Sequence, residues 1–223
     1  MGKLIVIDGI DGSGKNTQAR LLTDKLTKAG VKVCFVEIPD YSSDASALIK
    51  MYLGGEFGPS ANALDAYQAS VLFAVERFAS YRTGWKKDYD DNTLILCDRY
   101  VTSNMIHQAA KIKDAHLKNK FLDWLWDFEY NIYNMPQPDK VLFLDMPVEF
   151  SIELMKNRDN KITGTQKKDV HESDRQYLAE SYFNACYVAD KYKWERICCV
   201  SDGILRSPED ISAELFEIVK CVL

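Results

Sequence analysis

Apolar runs alternate with segments of helical periodicity along most of the chain. The runs are short and nearly uninterrupted, which is typical of parallel strands that are buried on both faces. They occupy residues 4–8, 31–38, 93–97, 140–144 and 196–200. Between them, apolar positions recur at helical spacing, as on one face of an α-helix. This alternation predicts one α/β domain over residues 1–223, in which helices cover both faces of a five-stranded parallel sheet.

The longest predicted helix follows Pro59-Ser60 and runs to about Arg82. At about 100° per residue, its apolar side chains form a stripe that we expect to face the core. The stripe consists of Leu64, Tyr67, Val71, Leu72, Val75 and Phe78. Phe73 and Arg77 fall on the opposite side, where the ring can stack on a base and the guanidinium can donate to a base carbonyl. The alternative is that Phe73 packs under a neighbouring element and Arg77 covers it.

A glycine-rich segment separates the first strand from the first helix. Residues 9–15 match the phosphate-binding pattern G-x4-G-K in its strand–loop–helix context. Glycines let successive N–H groups converge on a phosphate, and the helix dipole and Lys15 add positive charge. The predicted ATP-binding loop consists of Gly9, Ile10, Asp11, Gly12, Ser13, Gly14, Lys15, Asn16 and Thr17. Asn16 stands where the pattern has Ser or Thr, so we expect magnesium to be held mainly elsewhere.

The third apolar run is followed by Asp98 and Arg99. Ligands of open α/β sheets lie at the carboxyl ends of the strands, where the phosphate loop also lies. We therefore expect Asp98 to hold a magnesium-bound water and Arg99 to bind a phosphate. Ser103, Asn104 and His107 share one face of the next predicted helix, and an asparagine offers both a donor and an acceptor to a base edge.

A polar segment from Asp159 to Asp169 has no strong periodicity and predicts a loop. Its charges either form a solvated surface or belong to a mobile lid, over about residues 158–170, that closes cations over transferring phosphates. The candidate lid residues are Lys161, Lys167, Lys168, Asp169 and Glu172.

Composition and charge argue against a nucleic-acid-binding protein, a membrane protein and a secreted protein. The chain is 47% hydrophobic, which suffices for a buried core, and its net charge of −5 gives no field that favours nucleic acid or an anionic membrane. No apolar run approaches the ~18 residues that span a bilayer, and the N-terminus lacks a signal-peptide layout. The cysteines show no C-x-x-C spacing, and the histidines show no metal-ligand spacing. We expect a reduced, cytoplasmic protein with no nucleic-acid or membrane partner.

In their order along the chain, these segments resemble the thymidylate kinase family of P-loop nucleoside-monophosphate kinases. The resemblance lies in residues 7–18, 38–41, 72–77, 98–104, 169–174 and 201–203. It implies a P-loop kinase fold and transfer of the γ-phosphoryl of ATP to dTMP, which gives dTDP and ADP for dTTP synthesis. It also implies Mg²⁺ as cofactor and a homodimer.

The resemblance further implies roles for individual residues. The implied catalytic set is Lys15, Arg99, Asp98 and Asp11, and the implied metal set is Asp98, Asp11 and Asn16. The implied dTMP site consists of Asp11, Tyr41, Phe73, Arg77, Arg99, Ser103, Asn104, His107 and His171. Phe73 would stack on thymine, Arg77 would bind its carbonyl, and Arg99 would hold the acceptor phosphate. Arg158 would lie against adenine, and lid lysines would supply the cation that an arginine at position 12 provides in one branch of the family.

Three alternatives stay open at this point. A kinase of another nucleoside monophosphate would differ only in its base pocket, and one methyl group is worth only about 1–3 kcal/mol of discrimination. A deoxynucleoside kinase would not need Arg99 for an acceptor phosphate. An ATP-binding switch would bind nucleotide without transfer, and it would need no second base pocket.

Overall fold

In the computed structural model of the chain, residues 1–156 and 175–223 are described. Their main sheet has five parallel strands in the order β2-β3-β1-β4-β5. The strands are β1 (Leu4–Asp8), β2 (Val33–Glu37), β3 (Leu94–Asp98), β4 (Lys140–Asp145) and β5 (Glu195–Cys198). Every residue of β1 and β3 is buried, as the uninterrupted apolar runs predicted. The predicted α/β fold is confirmed.

Helices cover both faces of this sheet. They are α1 (Lys15–Lys28), α2 (Ala47–Leu53), α3 (Ala66–Ser80), α4 (Lys86–Asp90), α5 (Val101–His107), α6 (Ala115–Trp126), α7 (Val148–Met155), α8 (Arg175–Tyr192) and α9 (Pro208–Lys220). Ile5 and Ile7 of β1 pack with α1 and α9, whereas Leu4 and Val6 pack with α5, α6 and α8. Because side chains alternate across a strand, β1 thus divides the apolar interior into two layers. No helix among the described residues is long and apolar enough to cross a membrane.

The strand register brings three carboxylates to one edge of the sheet. Glu37 of β2 lies opposite Asp98 of β3, and Ile7 of β1 also lies opposite Asp98. Asp8, the last residue of β1, therefore lies at the same edge. Because α1 and α5 begin shortly after β1 and β3, their N-terminal ends lie at this edge too.

Helix α3 begins later than the sequence predicted. The Asp65 side chain accepts a hydrogen bond from Gln68 N, and the Gln68 side chain accepts one from Asp65 N. This reciprocal capping box fixes the start of the helix at Ala66. Residues 61–63, which the prediction included in the helix, form a separate 3-10 turn.

The apolar stripe of α3 was predicted to face the core, and this prediction is wrong for four of its six residues. Leu64 and Leu72 are partly buried and pack against a cluster of buried side chains from α2 and α3. Tyr67, Val71, Val75 and Phe78 are 41%, 37%, 45% and 38% exposed. The opposite face, which contains Ala69, Ala74 and Arg77, is buried. Small side chains let α3 approach its neighbours closely on that side, so the large apolar side chains are left on the surface.

A small hairpin follows the main sheet. The fifth apolar run ends as a strand at Cys198, and β6 (Val200–Ser201) pairs in antiparallel fashion with β7 (Ile204–Leu205). Asp202 and Gly203 have φ values of 52° and 75°. Two consecutive residues with positive φ are typical of a tight hairpin turn, which explains the Asp-Gly pair here.

Candidate active site

Two cavities open at the carboxyl edge of the sheet, and Arg99 lines both of them. The P-loop cavity is lined by residues 12–18, Asp98 and Arg99, and by side chains from α7, β7 and the start of α9. The α5 cavity lies between α5, α3 and the segment after β2. Its lining includes Asp11, Pro39, Tyr41, Phe73, Arg77, Arg99, Ser103, Asn104, His107 and Gln108.

The predicted phosphate loop has the backbone that the glycines were expected to allow. Gly12 and Gly14 have φ values of 79° and 86°, a region that other residues rarely adopt. A Cβ atom at Gly12 would lie 2.5 Å from the carbonyl oxygen of Ser151 in α7. The same serine donates a hydrogen bond from Oγ to Asp11 O at 2.7 Å. Contact with α7 thus leaves no room for a side chain at position 12.

Lys15 is the buried cation of the P-loop cavity. Its Nζ donates to Gly9 O at 2.9 Å and to Ile10 O at 2.6 Å. Burial lowers the pKa of Lys15 to about 7, and the neighbouring charge of Arg99 acts in the same direction. An anionic phosphate at this point would supply the compensating charge that the carbonyl groups do not.

Asn16 does not turn its carbonyl oxygen toward the carboxylates of the predicted metal set. Its Nδ2 donates to Asp98 Oδ2 and to Glu37 Oε2, both at 3.1 Å, while its Oδ1 accepts from Arg20 Nε at 2.9 Å. Asp11 lines the α5 cavity, whereas Asp98 and Asn16 line the P-loop cavity. No group of three acidic, histidine or cysteine side chains suited to a metal occurs in residues 1–156 and 175–223.

Asp98 nevertheless has the chemistry that a hard cation requires. Its Oδ1 is buried and has no hydrogen-bond partner within the described part of the chain. A buried carboxylate oxygen without a donor is costly, and magnesium ligands are typically oxygen atoms of this kind. Glu37, which the sequence analysis did not identify, adds a second carboxylate beside it. These residues fit a cation that is also coordinated by water and phosphate oxygens.

Arg99 joins the two cavities and carries an unusual backbone. Its φ is 70°, which is rare and strained for a residue with a side chain. The guanidinium forms an ion pair with Asp11, and Nη1 lies 3.4 Å from Nε2 of His107. Burial disfavours the charged form, but Asp11, Asp8 and Asp98 outweigh this and raise the pKa of Arg99. A permanent cation is therefore held where the two cavities meet.

Asp8 anchors the start of α5 against the phosphate loop. Its carboxylate accepts hydrogen bonds from the hydroxyls of Thr102 and Ser103 and, at 2.8 Å, from Gly9 N. Burial raises the pKa of this carboxyl, although Arg99 and Lys15 lower it in part. Ser103, an implied dTMP ligand, lines the α5 cavity but donates its hydroxyl proton to Asp8.

Phe73 and Arg77 do share a face of α3, but this face lies inside the molecule. Phe73 forms part of the cavity wall and makes an edge contact with the Tyr52 ring, with the centroids 6.5 Å apart. Arg77 also lines the cavity, yet it is only 1% exposed and forms an ion pair with Glu129. The prediction that these side chains face away from the core is corrected, because α3 turns its apolar stripe outward instead.

The polar side of the α5 cavity comes from α5 and from Gln108, the residue that directly follows it. Asn104 is buried and donates from Nδ2 to Ser70 O at 3.3 Å. Gln108, one turn later, is 1% exposed, and its Oε1 has no hydrogen-bond partner among the described residues. Sequence reasoning missed Gln108, although its spacing from Asn104 places it on the same helical face.

Three further functional candidates were missed in the sequence. Glu37 was treated as a strand residue, Glu129 as a helix residue, and Arg206 as part of the segment before α9. Arg206 lines the P-loop cavity and pairs with Glu214 at 2.7 Å. The partners of Glu37 and Glu129 lie far away along the chain, so no local pattern marks these two side chains. Arg206 pairs with Glu214 in the next helix, but this spacing does not point to a cavity.

Several predicted site residues lie outside the described residues. They are Arg158, Lys161, Lys167, Lys168, Asp169, His171 and Glu172. Their roles, and the lid itself, stay predictions.

The chain is similar to known proteins over most of its length. The profile of the thymidylate kinase family matches residues 7–193. The probable thymidylate kinase of Thermococcus onnurineus is 30% identical over 223 residues, which cover 97% of this chain and 96% of that protein. The thymidylate kinase of Mycobacterium tuberculosis is 30% identical over 174 residues, which cover 77% and 78% of the two chains. The structure of thymidylate kinase from Candida albicans matches with a TM-score of 0.72 at 24% identity, covering 99% of this chain and 92% of that chain, and so shares the fold. The chain therefore belongs to the thymidylate kinase family.

Proposed function

We propose that the protein transfers the γ-phosphoryl group of ATP to dTMP and releases dTDP and ADP. The observation that carries this proposal is the pair of cavities that meet at Arg99. One contains a phosphate loop, and the other contains an aromatic ring, a guanidinium and two amides. A protein that only binds ATP has no need of the second cavity, so this arrangement favours a kinase over a switch.

Donor binding would use the P-loop cavity. Backbone N–H groups of residues 12–15 and the N-terminal end of α1 would hold the β- and γ-phosphates, and Lys15 would donate hydrogen bonds to their oxygens. Lys15 Nζ would then donate to the phosphates instead of to the carbonyl groups of Gly9 and Ile10. Phosphoryl transfer requires mainly that the protein position the two substrates and neutralise the charge on the phosphates, and these groups would do both.

Acceptor binding would use the α5 cavity. Arg99 would hold the 5′-phosphate of dTMP at the junction, in line with the donor phosphate, and Asp11 would keep the guanidinium oriented. Phe73 would stack on the base. Asn104 and Gln108 would hydrogen-bond its polar edge, and the buried Oε1 of Gln108 would gain a donor.

Magnesium is proposed as the cofactor. Asp98, with Glu37 beside it, would hold the ion directly or through water, and Asn16 would orient the two carboxylates. Bound there, Mg²⁺ supplies neutralisation of charge on the β- and γ-phosphate oxygens.

A homodimer in the cytoplasm is proposed as the working form. The apolar stripe of α3 leaves four large side chains between 37% and 45% exposed, and Ile132 beyond α6 is 66% exposed. Phe78 of the stripe contacts the Tyr133 ring at 5.1 Å, so the apolar surface is continuous from α3 to this segment. Such a patch suits an isologous interface with a second copy of the chain.

The six free cysteines of the described residues are compatible with a reducing compartment.

The direct test is an ADP-release assay with ATP, Mg²⁺ and a panel of acceptors: dTMP, dUMP, UMP, dCMP, dGMP and thymidine. We expect dTMP to have the highest kcat/KM. Preferred turnover of thymidine would contradict the role of Arg99, and preference for another monophosphate would contradict the base assignment. The absence of turnover with every acceptor would contradict the kinase function.

A further inference from the structure

Arg77 is fixed on two sides by protein groups. Its Nε donates to Glu129 Oε2 at 3.2 Å, and its Nη2 donates to Glu129 Oε1 at 2.6 Å. The guanidinium also lies over the ring of Tyr100, 5.8 Å from its centroid. The third nitrogen, Nη1, makes no hydrogen bond within the described part of the chain. Arg77 lines the α5 cavity, and Glu129 occupies the edge of the guanidinium formed by Nε and Nη2. Nη1 is therefore the nitrogen left for a ligand.

This ion pair is fully enclosed. The side chains of Arg77 and Glu129 are 2% and 0% exposed. A buried ion pair seldom stabilises a fold more than apolar residues of the same volume, because both charges lose their hydration. Its value lies in the fixed geometry of two parallel hydrogen bonds. The pair is therefore better suited to orienting Arg77 than to holding the helices together.

The element that carries Glu129 is also unusual. Residues 127–132 form a π-helical segment that continues α6. Such wide turns are uncommon and occur frequently at functional sites. Here the segment turns a carboxylate into the interior at the level of Arg77, which lies on a different helix.

We propose that Glu129 is a positioning residue for base recognition, and this inference rests on the proposed function. By occupying Nε and Nη2, it directs Nη1 of Arg77 toward the base. A guanidinium can only donate, so Nη1 can form a hydrogen bond to a base carbonyl oxygen but not to an exocyclic amino group, which is itself a donor. Glu129 thereby selects thymine over cytosine without touching either base.

The test compares Glu129→Asp and Glu129→Gln with the unaltered protein, using dTMP and dCMP as acceptors. Asp retains the charge but is too short to keep both hydrogen bonds. We expect the KM for dTMP to rise about tenfold, with the KM for ATP unchanged, since one charge-assisted hydrogen bond would be misplaced. The ratio of kcat/KM for dTMP over dCMP should fall by a similar factor. Glu195→Gln is the matched control, because Glu195 pairs with Lys140 at 3.0 Å at the opposite end of the sheet.

A double-variant cycle separates positioning from stability. Glu129→Gln leaves Arg77 buried without a counter-charge and can impair folding. The double variant Arg77→Gln/Glu129→Gln removes both charges, and its dTMP affinity should equal that of Arg77→Gln alone if Glu129 acts through Arg77. A lower unfolding temperature for Glu129→Asp, with an unchanged dTMP KM and an unchanged dTMP/dCMP ratio, would overturn the inference. Failure of the unaltered protein to phosphorylate dTMP would instead contradict the proposed function.

Discussion

Glu76 connects α3 with the segment that carries Tyr41. Its Oε1 accepts a hydrogen bond from Asp40 N at 2.9 Å, while Oε2 is buried without a hydrogen-bond partner in the described part of the chain. Burial raises the pKa of this carboxyl above its ordinary value of 4.5, although the Asp40 N–H and Arg77 lower it in part. The structure thus holds an acid whose charged form is disfavoured in the folded state.

The sign of the pH dependence follows from this raised pKa. The folded chain keeps the Glu76 proton at pH values where the unfolded chain has released it, so the contribution of Glu76 to stability falls as pH rises above 4.5. We expect Glu76→Gln, which keeps the acceptor for Asp40 N, to raise the free energy of unfolding by about 1 kcal/mol at pH 7. Urea unfolding at pH 5, 6 and 7 should show this gain shrinking toward low pH. An equal gain at every pH would contradict the explanation.

Gly12 and Gly14 offer a matched pair in the phosphate loop. Both have positive φ, but a Cβ atom would meet Ser151 O at Gly12 and no atom within 4 Å at Gly14. Alanine should cost about 1–2 kcal/mol at Gly14 through its backbone conformation alone, and more at Gly12 because α7 must also move. Thermal or urea unfolding of the two variants measures the difference. Equal losses would show that α7 does not press on the loop.

For single residues, the sequence predicts the conformation of the phosphate loop but not the side chains that contact it. The G-x4-G-K pattern lies within a few residues, so the loop conformation is a local property. The contact of Gly12 with Ser151 and the pairing of Arg77 with Glu129 join residues that are far apart along the chain, and no spacing rule reports them. The same holds for the amide of Asn16, whose orientation depends on Glu37, Asp98 and Arg20 together.

Helix α3 shows which properties of an element a periodic pattern can predict. Periodicity correctly separated the four exposed residues of the stripe from Phe73 and Arg77. It also placed Leu72 in the stripe, although Leu72 packs against the same buried cluster as Phe73. It assigned the exposed side chains to the core, because an apolar face on the surface has the same period as one that meets the interior. The α5 face bearing Ser103, Asn104 and His107 was predicted correctly as a group, since all three line one cavity.

The start of α3 depends on Asp65. Asp65 and Gln68 satisfy two N–H groups reciprocally, whereas Asp114 caps α6 through a single hydrogen bond from Leu117 N at 2.8 Å. We expect Asp65→Ala to lower the free energy of unfolding by about 1–2 kcal/mol and Asp114→Ala by about 1 kcal/mol or less. Urea unfolding of both variants gives the comparison. A smaller loss for Asp65→Ala than for Asp114→Ala would contradict the role of the capping box.

On the scale of the whole molecule, the outward stripe of α3 has a direct consequence. An acidic side chain at Val71 or Val75 would be buried against its symmetry mate in an isologous dimer, and like charges would face each other. We expect Val75→Asp to convert the dimer into a monomer at micromolar concentration, as measured by analytical ultracentrifugation. Phe183→Asp is the control, because Phe183 is 71% exposed on α8, outside the stripe. A monomeric unaltered protein, or a dimer that Val75→Asp leaves intact, would contradict the proposed interface.

At this scale, the P-loop cavity and the α5 cavity, which we propose as donor and acceptor sites, share one arginine in their linings. Strand order and register bring β1 and β3 side by side, so the phosphate loop and Arg99 meet although their sequence positions are far apart. The sequence predicted both segments at this edge from the general rule for open α/β sheets. It could not predict that Arg99 lines both cavities, because that depends on the ion pair with Asp11 and on the backbone at Arg99.

The most direct test of the account follows the phosphoryl group itself. The protein is incubated with Mg²⁺, ATP labelled in the γ-phosphate, and equal concentrations of dTMP and thymidine, and the nucleotide products are separated. We predict that the label appears in dTDP, with no labelled dTMP formed from thymidine. Label found in dTMP, or released only as inorganic phosphate, would contradict the assignment of Arg99 to an acceptor phosphate and of the α5 cavity to dTMP.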